Sequence, residues 1–128
     1  MKIEHVALYT FEMEKLKHFY TVYFSAVEGK PYHNPVTGLS TCFLTFPDGG
    51  GRLELMTRPQ LQPTERPAFC PGYAHLAFSL GSRPAVDALT ARLAADGYAV
   101  KSGPRLTGDG YYESCVLDPD GNEVELTV

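Results

Sequence analysis

The chain reads as an α+β fold built from two βαβββ modules with curved mixed sheets, and three observations predict it. A four-residue segment, His5-Val6-Ala7-Leu8, returns as His75-Leu76-Ala77-Phe78. Each copy is followed, at spacings that differ by one residue, by a glutamate in an apolar run: Leu53-Glu54-Leu55-Met56 and Val124-Glu125-Leu126-Thr127. The approach turns also agree, Pro47-Asp48-Gly49 in one copy and Pro119-Asp120-Gly121 in the other. A buried charge without a partner costs several kcal/mol, so histidines and carboxylates repeated within apolar strands imply partners for both. Two such pairs point to one polar centre shared by two halves, with a divalent metal as its occupant.

In the first module a strand is expected over 2–10, followed by a helix from Glu12 to about Val27. Phe11, Leu16, Phe19, Tyr20, Tyr23 and Phe24 recur there at helical spacing on one face. Gly29 with Lys30-Pro31 is read as its stop. Strands follow near 31–36, 38–46 and 51–57, with Asp48-Gly49-Gly50-Gly51 as the turn between the last two. The second module repeats the scheme with a strand over 72–80 and Ser82 as N-cap ahead of Arg83-Pro84. Val86, Leu89 and Leu93 form its helical stripe, and Gly97 is the left-handed stop. Strands near 98–102, 110–117 and 122–128 complete it. The whole, 1–128, is read as one domain: module 1–57, linker 58–71 and module 72–128. Arg58-Pro59, Gln62-Pro63, Arg66-Pro67 and Cys70-Pro71 make the linker extended rather than helical.

Side chains alternate faces along a strand, so Ile3, His5, Ala7 and Tyr9 share one face, opposite Val6 and Leu8. The same rule sets Arg52, Glu54 and Met56 against Leu53 and Leu55, and Glu123, Glu125 and Thr127 against Val124 and Leu126. Each strand thus has an aliphatic side suited to lie under a helix and a mixed side carrying the ionisable group. Two curved sheets with such faces would form a cup lined by metal-binding groups. Tyr9 shares the face of His5, Met56 supplies an apolar wall beside Glu54, and His33 is placed at the mouth of the cup. These four-ligand and rim assignments compete with plainer readings: a lone strand histidine is more often a hydrogen-bonded core residue, and tyrosines are more often packing aromatics. His18 is read as a polar group on the helix, and Glu113 and Glu123 as solvated charges.

With 128 residues and 44% hydrophobic content, the chain is long enough to bury roughly two thirds of its surface. A net charge of -4 and a pI near 5.5 leave no basic stripe for nucleic acid. No apolar stretch approaches the roughly 18 residues that span a bilayer, and Met1-Lys2-Ile3-Glu4-His5 lacks a signal-peptide pattern. Cys42, Cys70 and Cys115 are an odd number without metal or redox spacing, which fits a reducing cytoplasm.

At these residues the chain resembles the vicinal oxygen chelate superfamily, which includes glyoxalase I, extradiol dioxygenases, fosfomycin-resistance enzymes and bleomycin-binding proteins. The resemblance runs through the His5 strand, Lys17-His18-Phe19-Tyr20, the His75 strand, and Tyr111-Tyr112-Glu113-Ser114 leading into Asp118-Pro119-Asp120-Gly121-Asn122-Glu123-Val124-Glu125-Leu126. It implies metal ligation by His5, Glu54, His75 and Glu125, and the complete His-Glu-His-Glu set is similar to the glyoxalase I branch. Zn, Ni, Mn, Co or Fe would suit two imidazoles and two carboxylates. The same analogy implies lyase or isomerase chemistry on an α-oxo or hydroxyacyl small-molecule substrate. One glutamate, Glu125 in preference to Glu54, would carry a proton between neighbouring carbons. A homodimer is also implied.

Two departures stand out. The arginine that helps hold glutathione in bacterial glyoxalase I is replaced by the segment Leu8-Tyr9-Thr10, and its asparagine beyond the first glutamate by Met56-Thr57-Arg58-Pro59. Arg58 is the candidate substitute anchor for a substrate carboxylate, with a solvated cation as the plainer role. Alternatives to the lyase are a drug- or metabolite-binding resistance protein of the same fold, and another metal reaction such as epoxide opening or extradiol cleavage.

Overall fold

The computed structural model describes residues 1–63 and 69–128, and the Arg66-Pro67 part of the expected linker lies outside them. The chain forms two compact units, Met1–Glu65 and Arg66–Val128. Each is a mixed sheet with one helix, in agreement with the expected α+β fold.

In the first unit β1 (His5–Tyr9), α1 (Met13–Phe24), β2 (Val27–Glu28), β3 (Tyr32–His33), β4 (Ser40–Thr45) and β5 (Arg52–Thr57) follow in order. The sheet runs β1-β5-β4-β2, with β3 also paired to β4. β1 is parallel to β5 and β4 is antiparallel to it. Leu16, Phe19, Tyr20 and Phe24 make the buried face of α1, and Cys42, Leu44, Leu53 and Leu55 the buried face of the sheet. The Phe19 and Tyr20 rings meet edge to face with centroids 5.1 Å apart, a geometry that adds to simple burial.

The second unit contains β6 (His75–Ser79), α2 (Arg83–Ala95), β7 (Val100–Leu106), β8 (Tyr112–Leu117) and β9 (Glu123–Thr127). Its sheet order is β6-β9-β8-β7, with β6 parallel to β9. Val86, Thr90 and Leu93 of α2 are buried, as are Ser114, Val116, Val124 and Leu126 of the sheet. Thr90 enters the stripe where sequence periodicity points to Leu89, because its hydroxyl is fully satisfied. It donates to the Val86 carbonyl at 2.7 Å and lies 2.6 Å from Ser114 Oγ.

The helix signals hold at both ends of α2. Ser82 Oγ accepts from the Ala85 amide. Gly97, at φ 92°, closes a Schellman motif in which the Tyr98 amide donates to the Leu93 carbonyl and the Gly97 amide to that of Ala94. α1 departs from expectation by ending at Phe24, with Ser25 in the left-handed region at φ 54°. Val27 and Glu28 then pair with Thr45 and Leu44 instead of extending the helix. Gly29 is therefore not a helix stop. Its amide donates to the Phe43 carbonyl at 2.7 Å, and a Cβ there would sit 3.1 Å from that oxygen. The strand expected over 31–36 shrinks to two residues, because Asn34 Oδ1 accepts from the Val36 and Thr37 amides and turns the chain. Among the described residues no helix is long and apolar enough to cross a membrane.

Candidate metal centre

In the first unit the parallel ladder pairs His5 with Arg52 and Ala7 with Glu54. His5 and Glu54 are thus offset by two residues on adjacent strands, which places both side chains on one face. His5 Nε2 lies 3.8 Å from Glu54 Oε2. The second unit repeats the register, His75 with Glu123 and Ala77 with Glu125, and there Nε2 and Oε2 are 3.5 Å apart. Leu53, Leu55, Val124 and Leu126, which flank the glutamates, are buried on the opposite face. The histidine side chains are 41% and 42% exposed, so both pairs open to the outside of their own unit.

These separations exceed a charge-assisted hydrogen bond, which runs roughly 2.7–2.9 Å. They lie close to the roughly 3.0–3.4 Å edge between two ligands held at first-row metal distances. A neutral imidazole nitrogen and a carboxylate oxygen are suitable donors for a borderline divalent cation. Each pair therefore fits as half of a ligand set. Among the described residues, no group of three or more histidine, cysteine or acidic side chains comes together as a metal site. The four predicted ligands appear as two pairs, one in each unit.

The surroundings of the pairs differ. Glu4 Oε2 is 2.5 Å from His5 Nδ1, and Glu4 Oε1 is 2.5 Å from Arg52 Nη2. The hydrogen bond to His5, then Arg52, holds the Glu4 carboxyl below its ordinary range. Arg52 stacks over Phe43 with its guanidinium carbon 4.0 Å from the ring centroid, and Phe43 meets His5 edge to face. In the second unit burial, followed by the charge of Glu113, pushes the Glu125 carboxyl up. Glu113 is ion-paired with Arg105 at 3.2 Å and is only 16% exposed, which corrects its reading as a solvated charge. Glu123 pairs with Lys101. Burial, with help from Glu123, raises the Cys115 thiol to about 11.

Of the predicted rim residues, Tyr9 and Met56 are ladder partners one step beyond the His5–Glu54 pair. Tyr9 is exposed and Met56 half-buried. Arg58 lies past the end of β5, exposed, and donates from Nε to Gln60 Oε1. His33 sits on β3 with Nδ1 2.9 Å from Ser40 Oγ. Neither is hydrogen-bonded to the pair. Glu4, Phe43, Arg52 and Glu113 escaped sequence reasoning. Glu4 had one local signal, its adjacency to His5; the others reach the site only through strand pairing.

An α+β protein of two like modules, each with a histidine–glutamate pair on its open face, is the class defined here. The chain belongs to the Glyoxalase/Bleomycin resistance protein/Dioxygenase superfamily, whose family model matches residues 2–126. Members of this superfamily include glyoxalase I enzymes, bind small-molecule substrates, often use divalent metals and often form dimers. The chain is 30% identical over 130 residues to the uncharacterized protein YqjT of Bacillus subtilis, covering 97% of this chain and 96% of that protein. Its fold is similar to the glyoxylase/bleomycin resistance protein/dioxygenase domain from Frankia sp. EAN1pec, at TM-score 0.83 and 22% identity, over 100% of this chain and 97% of that one. Glyoxalase I from Zea mays matches at TM-score 0.78 and 19% identity, over 98% of this chain and 44% of that one.

Proposed function

We propose that the protein is a divalent-metal enzyme of the glyoxalase-like branch, performing lyase or isomerase chemistry on an α-oxo or hydroxyacyl substrate. The observation that carries this reading is the repeated His–Glu offset, with the same register and nearly the same donor separation in both units. His5, Glu54, His75 and Glu125 are the ligands in this reading. A bound divalent cation supplies Lewis-acid polarisation of a substrate carbonyl. Glu125 is the group that takes a proton from one carbon and returns it to the next. Burial and Glu113 raise its carboxyl above the ordinary carboxylate range, the direction that suits a reversible base. Tyr9 and Met56 wall the substrate, and Arg58 anchors a substrate carboxylate. We place the active form as a homodimer in the cytoplasm, where the thiols of Cys42, Cys70 and Cys115 stay reduced.

A second reading, sequestration of an apolar ligand without turnover, draws on the exposed Tyr9 beside Met56 and on the two absent glutathione contacts. Metal analysis of the purified protein separates the readings. Stoichiometric metal that is lost from both His5→Ala and Glu125→Ala, with turnover of hemithioacetals or related α-oxo compounds, supports the enzyme. A folded, metal-free protein that binds an apolar ligand overturns it.

A further inference from the structure

His5 and His75 occupy like stations in their sheets, but only the first has its second ring nitrogen engaged. An ionised carboxylate can only accept a hydrogen bond, so the contact with Glu4 Oε2 makes His5 Nδ1 the donor. In a neutral imidazole this leaves the lone pair on Nε2, the atom that faces Glu54. Glu4 is itself held through its other oxygen by Arg52, and Arg52 is seated on the Phe43 ring. Phe43 returns to His5 with centroids 5.4 Å apart and planes at 89°, so Glu4, Arg52 and Phe43 close a ring of contacts that begins and ends on the imidazole. The second unit has no such brace. Ala74 precedes His75, Cys115 stands at the Phe43 station, and Glu123 stands at the Arg52 station and pairs with Lys101. Among the described residues nothing hydrogen-bonds to His75 Nδ1.

The geometry points to Glu4 as a positioning residue that holds His5 in the Nδ1–H tautomer with Nε2 presented for ligation, and to Arg52 as the group that fixes Glu4. The inference rests on the metal reading above. It makes the two half-sites unequal: the first is organised before any cation arrives, and the second is not. Partners behind a ligating histidine typically contribute 10–100-fold in metal affinity.

The test measures zinc affinity by competition with a chromophoric chelator, alongside nitrogen-15 chemical shifts of the metal-free histidines at about pH 8. Glu4→Ala should weaken zinc binding roughly 10–100-fold and abolish the Nδ1–H signature of His5, leaving His75 unchanged. Glu4→Gln retains an acceptor but no charge; it should keep the tautomer and show a smaller loss of affinity. Circular dichroism should report the same fold for all three proteins. Unchanged affinity in Glu4→Ala overturns the inference while leaving the metal reading intact. A loss of affinity with the His5 tautomer unaltered overturns it as well. Failure of the wild type to take up zinc, or zinc binding that survives His5→Ala, overturns the metal reading and the inference with it.

Discussion

His75 Nε2 stands 3.5 Å from Glu125 Oε2, across a parallel ladder in which the direct partner of His75 is Glu123. The two-residue offset means that neither side chain can turn toward the core without breaking the alternation that buries Val124 and Leu126. The first unit holds His5 and Glu54 by the same constraint. This gives the two glutamates comparable backbones and different chemical surroundings, from which their roles can be separated.

Glu125→Gln is expected to lower turnover by about 10²–10⁴-fold, the usual contribution of a positioned base. Glu54→Gln should act mainly through metal retention and recover part of its activity when metal is added in excess. Turnover and metal content measured on the same samples check this. Equal losses that excess metal restores in both variants would overturn the proposed base role of Glu125.

Leu55 and Leu126 are fully buried and each adjoins the glutamate of its unit. Leu55→Ala and Leu126→Ala should each cost about 2–5 kcal/mol in urea unfolding, through lost burial and the cavity left behind. A change under about 1 kcal/mol would mean that the helix does not seat on these side chains.

Asp118 explains why the second approach turn is more tightly specified than the first. Its buried carboxylate accepts from the Asp120 amide at 3.0 Å, the Asn122 amide at 2.8 Å and Asn122 Nδ2 at 2.9 Å. Phe46 stands at the corresponding place in the first unit. Asp118→Ala should destabilise by about 1–3 kcal/mol, since part-buried donors lose a charged acceptor, and Asp118→Asn by less. Denaturation midpoints of the two variants decide it.

The three thiols should react with a disulfide reagent in a fixed order at pH 8. Cys70 is exposed and should react first. Burial pushes the Cys42 thiol above its ordinary 9.0, and Cys115 rises to about 11, so both remain protonated and slow. Unfolding in guanidinium should make all three rates alike. Fast labelling of Cys115 in the native protein would contradict its place beside Glu123.

Alkaline pH should destabilise the first unit. The Lys17 ammonium donates to Glu28 at 2.8 Å and Glu14 at 3.0 Å, and the Glu28 bond leads in raising it above the ordinary 10.5. A raised amine contributes stability that is complete below the unfolded value and is lost as pH rises through the folded one. The raised Cys42 thiol acts in the same direction, because the unfolded chain gives up that proton first, from about 9 upward. Melting temperatures should therefore fall above about pH 9, and Lys17→Met should flatten the part of the fall above 10.5. A wild-type melting temperature constant from pH 8.5 to 11 would contradict it.

The repeated His-Val-Ala-Leu and His-Leu-Ala-Phe segments, with a glutamate between apolar neighbours downstream of each, were enough to determine the paired-module fold and to single out His5, Glu54, His75 and Glu125 as candidate ligands. Period-two alternation is a property of the sequence, so the face each residue takes follows once a strand is assumed. Register is different. That Glu54 lies opposite Ala7 rather than His5 depends on hydrogen bonds between strands far apart in the chain, and only the folded sheet decides it. The same holds for Arg52 reaching Glu4, Phe43 flanking His5 and Glu113 closing on Glu125, where ordinary-looking side chains meet through strand pairing. Gly29 marks this boundary plainly: as a letter it reads as a helix stop, and in space it is where the backbone must pass close to Phe43. Local periodicity reports which side of an element is apolar, whereas the partners of a polar group are set by the cooperative pairing of the whole sheet.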